Sequence, residues 1–330
     1  MDLGSISPLV SGVLAGSVST ILLLPLDNIK VRLQVNEGNG KFKKERKRFA
    51  SIRILRGVIR HEGFQGLYQG LSPAVLGSAV SWGGFFFVYE SFKKGLRNRK
   101  EPKHGNDVSL SSFENFQLAC ASGAVMVFLT NPIWLIKLRM QLQMKRSSER
   151  LQGAQKPYNG IIHAAKTIVK EEGFLGLYKG TGPALLLTSH GGVQFVVYEA
   201  LRKHFHYTRA QRETDGKVSP VLVRLEKSFG YLTMGAIAKV VASTTTYPLQ
   251  VVKSRMQQRS EFVEVDSEGN VSVVKRKYSG LLKTGRRIWQ NEGVGGFFKG
   301  CIPNAIRVAP SAAVTFVVYE FVMDSLNNTS

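Results

Sequence analysis

One phrase occurs three times in this sequence of 330 residues, and it constrains the fold more than any other feature. It reads PLDNIKVRL from Pro25, PIWLIKLRM from Pro132 and PLQVVKSRM from Pro248. A repeat of about a hundred residues predicts tandem modules of one structure rather than unrelated soluble domains. We place three repeats at residues 1–100, 101–210 and 211–330.

A second phrase follows the first in every repeat. It reads EGFQGLYQG from Glu62, EEGFLGLYKG from Glu171 and NEGVGGFFKG from Asn291, and a run with apolar residues near helical spacing precedes each copy. Such runs predict short amphipathic helices at a surface. In the third repeat the segment EFVEVDSEGNVSVVKRK precedes this helix, and we expect it to be a disordered loop insertion.

Six apolar stretches that contain glycine account for the rest of the repeats. Each is long enough for a bilayer core of roughly 30 Å at about 1.5 Å per residue. Several carry Pro, Gly, Ser or Thr, which suits helices packed around a polar interior. The stretches lie at residues 9–33, 74–96, 113–142, 184–205, 225–256 and 305–326. The sequence therefore predicts one all-α integral membrane domain with six transmembrane helices in three pairs.

The formal net charge of +22 admits three kinds of partner, namely nucleic acid, small anions and anionic lipid. The basic residues form no stripe interleaved with aromatic residues, so we expect no nucleic acid. Cys120 and Cys301 are the only cysteines, and the histidines lack metal-ligand spacing, so we expect no disulfide framework, metal site or prosthetic group. No recognisable nucleophile motif occurs, and we predict that the protein is not an enzyme. The first residues resemble no cleavable targeting signal, so targeting is expected to be internal.

The two repeated phrases together resemble the mitochondrial carrier family. The pattern P-x-[DE]-x-x-[KR]-x-[RK] ends each odd-numbered helix, an E-G…G phrase leads to each even-numbered helix, and the match covers essentially the whole chain. The resemblance implies a monomer with six transmembrane helices related by pseudo-threefold symmetry and three short surface helices on the matrix side. It also implies a central substrate site between two gates that open alternately.

The prolines of the repeated phrase, Pro25, Pro132 and Pro248, are expected to kink the odd-numbered helices, because proline removes a backbone hydrogen bond. The kinked helices would then converge at a matrix gate. The resemblance assigns that gate to an acidic and a basic position in each repeat, which here are Asp27, Trp134 and Gln250 and then Lys30, Lys137 and Lys253.

Only one of the three possible ion pairs at this gate can form, because Asp27 is the only acid. By the family arrangement its partner is Lys137. Glutamines that resemble hydrogen-bonding braces beneath such pairs follow nine residues after each proline, at Gln34, Gln141 and Gln257. Trp134 either packs as an ordinary core residue or stacks against Lys253 in a cation-π contact worth roughly 0.5 to 2 kcal/mol.

The opposite, cytoplasmic gate is encoded on the even-numbered helices by an aromatic residue, an acid and a later cation. The phrases YESFK, YEALR and YEFVM supply Glu90 and Lys93, Glu199 and Arg202, and Glu320 with Met323 in place of a cation. Two of three pairs can therefore form at this gate. Since a partly exposed pair contributes up to about 1 kcal/mol, the matrix gate with one pair should open more easily than the cytoplasmic gate with two.

The phrase PIW in the second repeat resembles the branch of the family that carries nucleotides, NAD, FAD and folate, and four short helical segments most resemble its folate and FAD carriers. Two cations fit such anionic cargo. Lys239 lies in an apolar helix, on the same face as Gln250 eleven residues later. Arg307 lies three residues before Pro310, at a position where the resemblance to the family implies a substrate contact. The alternatives are a lysine that reaches a polar surface and an arginine that extends to the membrane interface.

Three further residues are candidates for the substrate site. Trp82 either stacks on a pterin or isoalloxazine ring or packs in the bundle. His190 and Gln194 share a helix face, and His190 either lines the site or is a hydrogen-bonded core residue.

We predict a transporter of folate or FAD in the mitochondrial inner membrane, with the cargo as substrate rather than cofactor and with anionic lipid such as cardiolipin around the protein. The alternatives are a carrier of adenine nucleotide, NAD or CoA, a peroxisomal or plastid location, and a membrane scaffold that does not transport.

Overall fold

The computed structural model describes residues 3–37, 50–99, 111–145, 155–213, 220–265, 271–275 and 278–327. Helices account for nearly all of this part of the chain. In chain order they are α1 (Leu3–Val35), α2 (Ala50–Glu62), α3 (Leu71–Arg99), α4 (Ser112–Leu142), α5 (Ile161–Glu172), α6 (Thr181–Leu186), α7 (Ser189–Glu213), α8 (Pro220–Thr245), α9 (Tyr247–Gln257), α10 (Leu281–Glu292) and α11 (Cys301–Asn327). One 3₁₀ turn follows each of α2, α5 and α10, at Phe64–Tyr68, Phe174–Tyr178 and Val294–Phe298.

The long helices form a closed ring. α1 packs against α3, α3 against α4, α4 against α6, α7 against α8, and α8 against α11, which returns to α1. The three helices that carry the repeated proline phrases are α1, α4 and α9. They contact one another at the end of the bundle where these phrases lie. We call this end of the bundle the signature end. The ring agrees with a bundle of six helical units in three pairs.

The prolines of the repeated phrase have different effects on the three helices that contain them. α1 and α4 continue through Pro25 and Pro132. The fifth predicted helix is instead interrupted at Thr246, which divides it into α8 and α9, and Pro248 lies in the first turn of α9. Proline is well tolerated there because the first backbone N–H groups of a helix have no intrahelical acceptor. Where the sequence predicted a kink at Pro248, the structure has a break between two helices.

The fourth predicted helix is also divided, into α6 and α7. α6 ends at Leu186, and residues 187 and 188 form a turn before α7 begins at Ser189. Within this turn the amide of His190 donates to the carbonyl of Leu187 at 3.0 Å. The break reorients the chain directly before His190, a residue whose direction ideal helical counting could not fix.

The three surface helices pack in the same way in every repeat. Each surface helix buries apolar side chains against the long helix or the 3₁₀ turn of its own repeat. These side chains are Ile54 and Val58 of α2, Ala164 and Ile168 of α5, and Ile288 of α10. Each helix is followed by a glycine with positive φ, at Gly63, Gly173 and Gly293. Glycine adopts this backbone region without the steric cost of a Cβ atom, so each copy of the E-G phrase can end its helix and turn sharply.

Three segments of the described chain are long and apolar enough to cross a membrane. They are Ser11–Val35, Phe64–Arg97 and Gln117–Leu142, with mean hydropathies of 1.5, 1.4 and 1.6. The fourth and fifth predicted helices are not among these three segments, and both are interrupted, the fourth between α6 and α7 and the fifth between α8 and α9. Composition and length therefore support a membrane protein, and the count of six spans remains a prediction.

The insertion in the third repeat is a correction to the sequence-based expectation. Residues predicted to be disordered instead form an antiparallel hairpin of β1 (Glu261–Val265) and β2 (Val271–Lys275), in which Val263 pairs with Val273. Both strands alternate valine with other residues, and this pattern favours extended backbone. The charged residues between them hid that signal.

Candidate functional site

Asp27 of α1 lies at the signature end and is contacted by three side chains from two other helices. Lys137 Nζ of α4 is 2.7 Å from Asp27 Oδ2, and Gln141 Nε2 donates to the same oxygen at 3.1 Å. On the other side Arg307 Nε of α11 is 3.9 Å from Asp27 Oδ1. The pair of Asp27 and Lys137 predicted from the sequence is present. Arg307 is a second cation beside Asp27, and no sequence pattern predicted this contact.

The other two lysines of the predicted matrix gate have no carboxylate partner among the described residues. Lys30 Nζ donates to Gln250 Oε1 at 3.2 Å and lies 5.9 Å from the centre of the Tyr247 ring. Lys253 makes no hydrogen bond or ion pair within the described part of the chain. Both side chains are only half buried and line the same cavity.

All three predicted brace glutamines are buried and hydrogen-bonded. Gln141 bonds to Asp27, as described above. Gln34 donates to the Tyr247 hydroxyl at 3.1 Å and accepts from Ser254 at 2.8 Å, whereas Gln257 donates to Asn131 at 3.2 Å. Only the glutamine next to the ion pair contacts a gate charge, because the other two positions lack an acid.

Trp134 stacks on a different cation from the one predicted. Lys137 Nζ lies over its ring, 5.0 Å from the ring centre, whereas the sequence suggested Lys253. The reason is local, since Lys137 follows one helical turn later on α4. The ring also packs against α3, where a Cβ atom at Gly77 would come within 3.4 Å of it. The tryptophan therefore both packs and stacks.

A central cavity of about 380 Å³ opens beside these residues. Its lining includes five cations and one acid, namely Lys30, Lys137, Lys239, Lys253 and Arg307 with Asp27. A second cavity of about 270 Å³ adjoins it, shares Asp27, Trp134, Lys137 and Arg307, and is otherwise lined by hydroxyl and apolar side chains of α1, α3 and α11. Positive charge therefore dominates the interior of the bundle.

The predicted substrate residues are only partly brought together. Lys239, Arg307 and His190 all line the central cavity, and His190 Nδ1 lies 3.1 Å from the Thr246 hydroxyl. Gln194 is half buried but does not line the described cavity. The side chain of Trp82 lies outside those that the structure describes.

Three arginines at the last basic position of the repeated proline phrase, to which the sequence analysis assigned no role, join the repeats in a cycle. Arg32 donates to the Gln141 carbonyl at 2.9 Å, Arg139 to the Gln257 carbonyl at 3.0 Å, and Arg255 to the Gln34 carbonyl at 2.9 Å. Each arginine lies seven residues after its proline. Recurrence at one position in all three repeats was the signal that could have identified them.

Two of these arginines also hold the acid of the E-G phrase in their own repeat. Arg139 donates twice to Glu172, with both bonds at 2.8 Å, and Arg255 forms a similar bidentate pair with Glu292. Burial alone would raise the pKa of the Glu172 carboxyl, but the bonds from Arg139 and Lys179 hold that pKa below its ordinary value. These two pairs attach the surface helices α5 and α10 to the bundle.

The threefold geometry agrees with comparison against known proteins. The model of the family described as mitochondrial carrier protein matches residues 2–100, 108–209 and 225–330, one match for each repeat. The chain belongs to the mitochondrial carrier family. Carriers of this family are transporters rather than enzymes and hold no prosthetic group, as the sequence predicted.

Relatives of this carrier are named for three cargoes. The chloroplastic folate transporter 1 of Arabidopsis thaliana is 35% identical over 96% of this chain and 94% of its own length. The mitochondrial nicotinamide adenine dinucleotide transporter 2 of the same plant is 31% identical over 95% and 77%. The mitochondrial FAD carrier protein of Saccharomyces cerevisiae is 30% identical over 94% and 94%. Their names also include different organelles.

The opposite end of the carrier lacks ion pairs between helices among the gate residues that the structure describes. Glu90 pairs with Lys93 at 3.7 Å and Glu199 with Arg202 at 3.4 Å, each within its own helix. Pairs three residues apart join neighbouring turns of one helix and cannot hold two helices together. The side chain of Glu320 lies outside those described. The carrier is thus held together by charge at the signature end and not by these pairs at the other.

Proposed function

We propose that this carrier moves folate or FAD across an organellar membrane by alternating access to the central cavity. The observation that carries the proposal is the surplus of cations in a cavity of about 380 Å³, a volume within the range of small-molecule sites. Lysine and arginine at such depth are costly unless an anion or water accompanies them. Folate supplies carboxylates and FAD supplies a diphosphate, and both groups suit these side chains.

The aromatic part of the cargo has support in the adjoining cavity. Trp134 forms part of the wall of both cavities, while Ser19, Thr20, Ser78 and Ser311 supply hydroxyl groups nearby. Aromatic rings favour offset or edge contacts with other planar ring systems. A pterin or isoalloxazine ring meets these requirements, and we assign the smaller cavity to it.

The charge of the lining favours folate or FAD over NAD. The nicotinamide ring of oxidised NAD is cationic and would gain from a free carboxylate. Asp27 is the only acid of the described lining, and Lys137, Gln141 and Arg307 already surround it. NAD nevertheless remains the main competing cargo, because relatives of similar identity carry that name. The more distant alternatives are adenine nucleotide and CoA.

The arrangement of charges supports a role for the signature end as the matrix gate. In this conformation Asp27, Lys137 and the cyclic arginine contacts join all three repeats there. Alternating access requires these contacts to break while pairs at the other end form. Glu90, Glu199 and their cations are available for such pairs, since their present contacts are local.

The proposal includes six membrane spans, a monomer, and a mitochondrial inner membrane location, with peroxisome and plastid envelope as alternatives. Large apolar side chains on the surface helices and turns support contact with a membrane interface. They include Ile162, Phe174 and Leu175, which are 73%, 64% and 80% exposed. Such residues beside basic ones favour an interface rich in anionic lipid such as cardiolipin.

Uptake into liposomes containing the purified carrier tests this function. Labelled folate, FAD and NAD would be compared, together with Lys239→Gln, Arg307→Gln and the surface control Lys166→Gln. We expect folate or FAD uptake that falls at least tenfold in the two cavity variants and is unchanged in the control. Uptake of NAD alone would replace the proposed cargo, and uptake of none of these compounds would favour a scaffold.

A further inference from the structure

The floor of the central cavity carries two lysines without acids, and this imbalance has a consequence for ligand binding. Asp27 fills the acidic position of the first repeat, whereas Trp134 and Gln250 occupy the corresponding positions of the second and third. The basic position is lysine in all three repeats. The signature end therefore lacks the negative charge that would neutralise its own cations.

The contacts of the two lysines leave their charges available. Within the described residues, Lys30 Nζ donates to the neutral amide oxygen of Gln250 at 3.2 Å and lies over the face of the Tyr247 ring. Lys253 has no acceptor within the described chain, although Trp134 and Gln250 line the same cavity. Cations that share a low-dielectric cavity repel one another unless an anion lies between them.

We propose that Lys30 and Lys253 form a binding subsite for a doubly charged anionic group, either a diphosphate or a pair of carboxylates. The inference rests on the proposed function, since the group would belong to the cargo. It differs from the assignment to Lys239 and Arg307, because it places the anion among the gate residues themselves. The cargo then supplies the negative charge that the second and third repeats lack.

This subsite places the anionic group between two helices that separate when the gate opens. With the anion present, Lys30 of α1 and Lys253 of α9 both attach to one group, which relieves the repulsion between the two cations. Opening of the signature end moves α1 away from α9, so the group must then leave at least one of the lysines. The cargo is therefore held less firmly in the open state, which favours its release on that side.

Gln250→Glu is the sharpest test, because it changes one atom and adds a built-in acid. The new carboxylate would lie at the position of Gln250 Oε1, 3.2 Å from Lys30 Nζ. It should pair with Lys30 and repel an incoming anion. Lys253→Gln removes the second cation, and Lys253→Arg retains the charge. Lys166→Gln, on the exposed side of α5, removes a positive charge away from the cavity.

The first measurement is thermal unfolding of the purified carrier with pyrophosphate or glutarate, at constant ionic strength set with chloride. We expect one of these anions to raise the melting temperature of the unmodified carrier, Lys253→Arg and Lys166→Gln. The anion concentration needed should rise at least tenfold in Gln250→Glu and Lys253→Gln. The more effective anion identifies diphosphate or carboxylate chemistry.

Equal stabilisation of all variants would overturn the subsite, because the anion would then bind elsewhere. No stabilisation of the unmodified carrier, or loss in only one of the two variants, would also overturn it. Liposome uptake separates this inference from the proposed cargo. Folate or FAD uptake with an unchanged KM in Gln250→Glu removes the subsite and retains the function, whereas the expected anion result without such uptake retains the subsite and removes the cargo.

Discussion

Asp27→Asn should release the signature end of the carrier. The substitution keeps the size of the side chain but removes the charge that faces Lys137 at 2.7 Å and Arg307 at 3.9 Å. The side chains of Asp27 and Lys137 are each 15% exposed, so the pair lies between a surface pair and a fully buried one. Surface pairs contribute up to about 1 kcal/mol, and breaking buried pairs costs about 3 to 5 kcal/mol. We therefore expect a loss of about 2 kcal/mol from the closed state, which lowers the ratio of closed to open molecules about thirtyfold.

Distances between spin labels on the surface helices would measure this shift. Ile52 of α2 and Leu282 of α10 are equivalent positions, each eleven residues before the glycine of the E-G phrase, and both are exposed. Cysteine substitutions there would carry the labels, with and without Asp27→Asn, in a carrier whose free thiols Cys120 and Cys301 are first replaced by serine. Asp324→Asn, an exposed change of the same kind on α11, is the matched control. If Asp27→Asn gives the same distance distribution as the control, the ion pair does not hold this end closed.

Three other predictions concern stability. Glu172→Gln should cost about 3 kcal/mol, because it leaves the buried Arg139 guanidinium with a weaker acceptor. Because the pKa of Glu172 is lowered in the folded carrier, its contribution to stability is present above its ordinary pKa of 4.5 and is lost as the pH falls further. The melting temperature of the variant should therefore depend less on acid than that of the unmodified carrier when melting is followed from pH 7 to pH 3. Gly70→Ala should lower the melting temperature, since φ is +83° and a Cβ atom would lie 2.9 Å from Gln141 Cγ, whereas Gly182→Ala, in open space on α6, should not. Tyr247→Phe should cost about 1 to 3 kcal/mol in chemical unfolding, because it removes a buried hydroxyl that accepts from Gln34 and donates to the Lys299 carbonyl at 3.0 Å; an unchanged midpoint would contradict this account.

Several features of the carrier could be predicted from sequence because they depend on local spacing that recurs. Glycine at a fixed position in three repeats indicated where the surface helices end, and helical periodicity indicated those helices themselves. The partner of Asp27 followed from the family arrangement, given that only one acid was available. Lys239 could be assigned to the interior from its helical rotation relative to Gln250.

Other features depended on distances between repeats, which no local pattern contains. Arg307 reaches Asp27 because α11 packs beside α1, far away in sequence. The stacking of Trp134 on Lys137 is different, because these residues lie three apart on one helix and their contact was present in the local spacing. The breaks at residues 187–188 and at Thr246 also depend on packing, since proline alone left α1 and α4 continuous.

The threefold plan of this protein can be predicted from its amino-acid sequence, because similar short-range chemistry in each repeat produces a similar surface helix and glycine turn. Which charges meet depends instead on how the three repeats pack together. The repeats carry unequal side chains at their acidic positions, and the closure of the ring brings those unequal positions to one axis. The number of unpaired cations in the cavity, and hence the anionic cargo that we propose, is a property of that assembled interior.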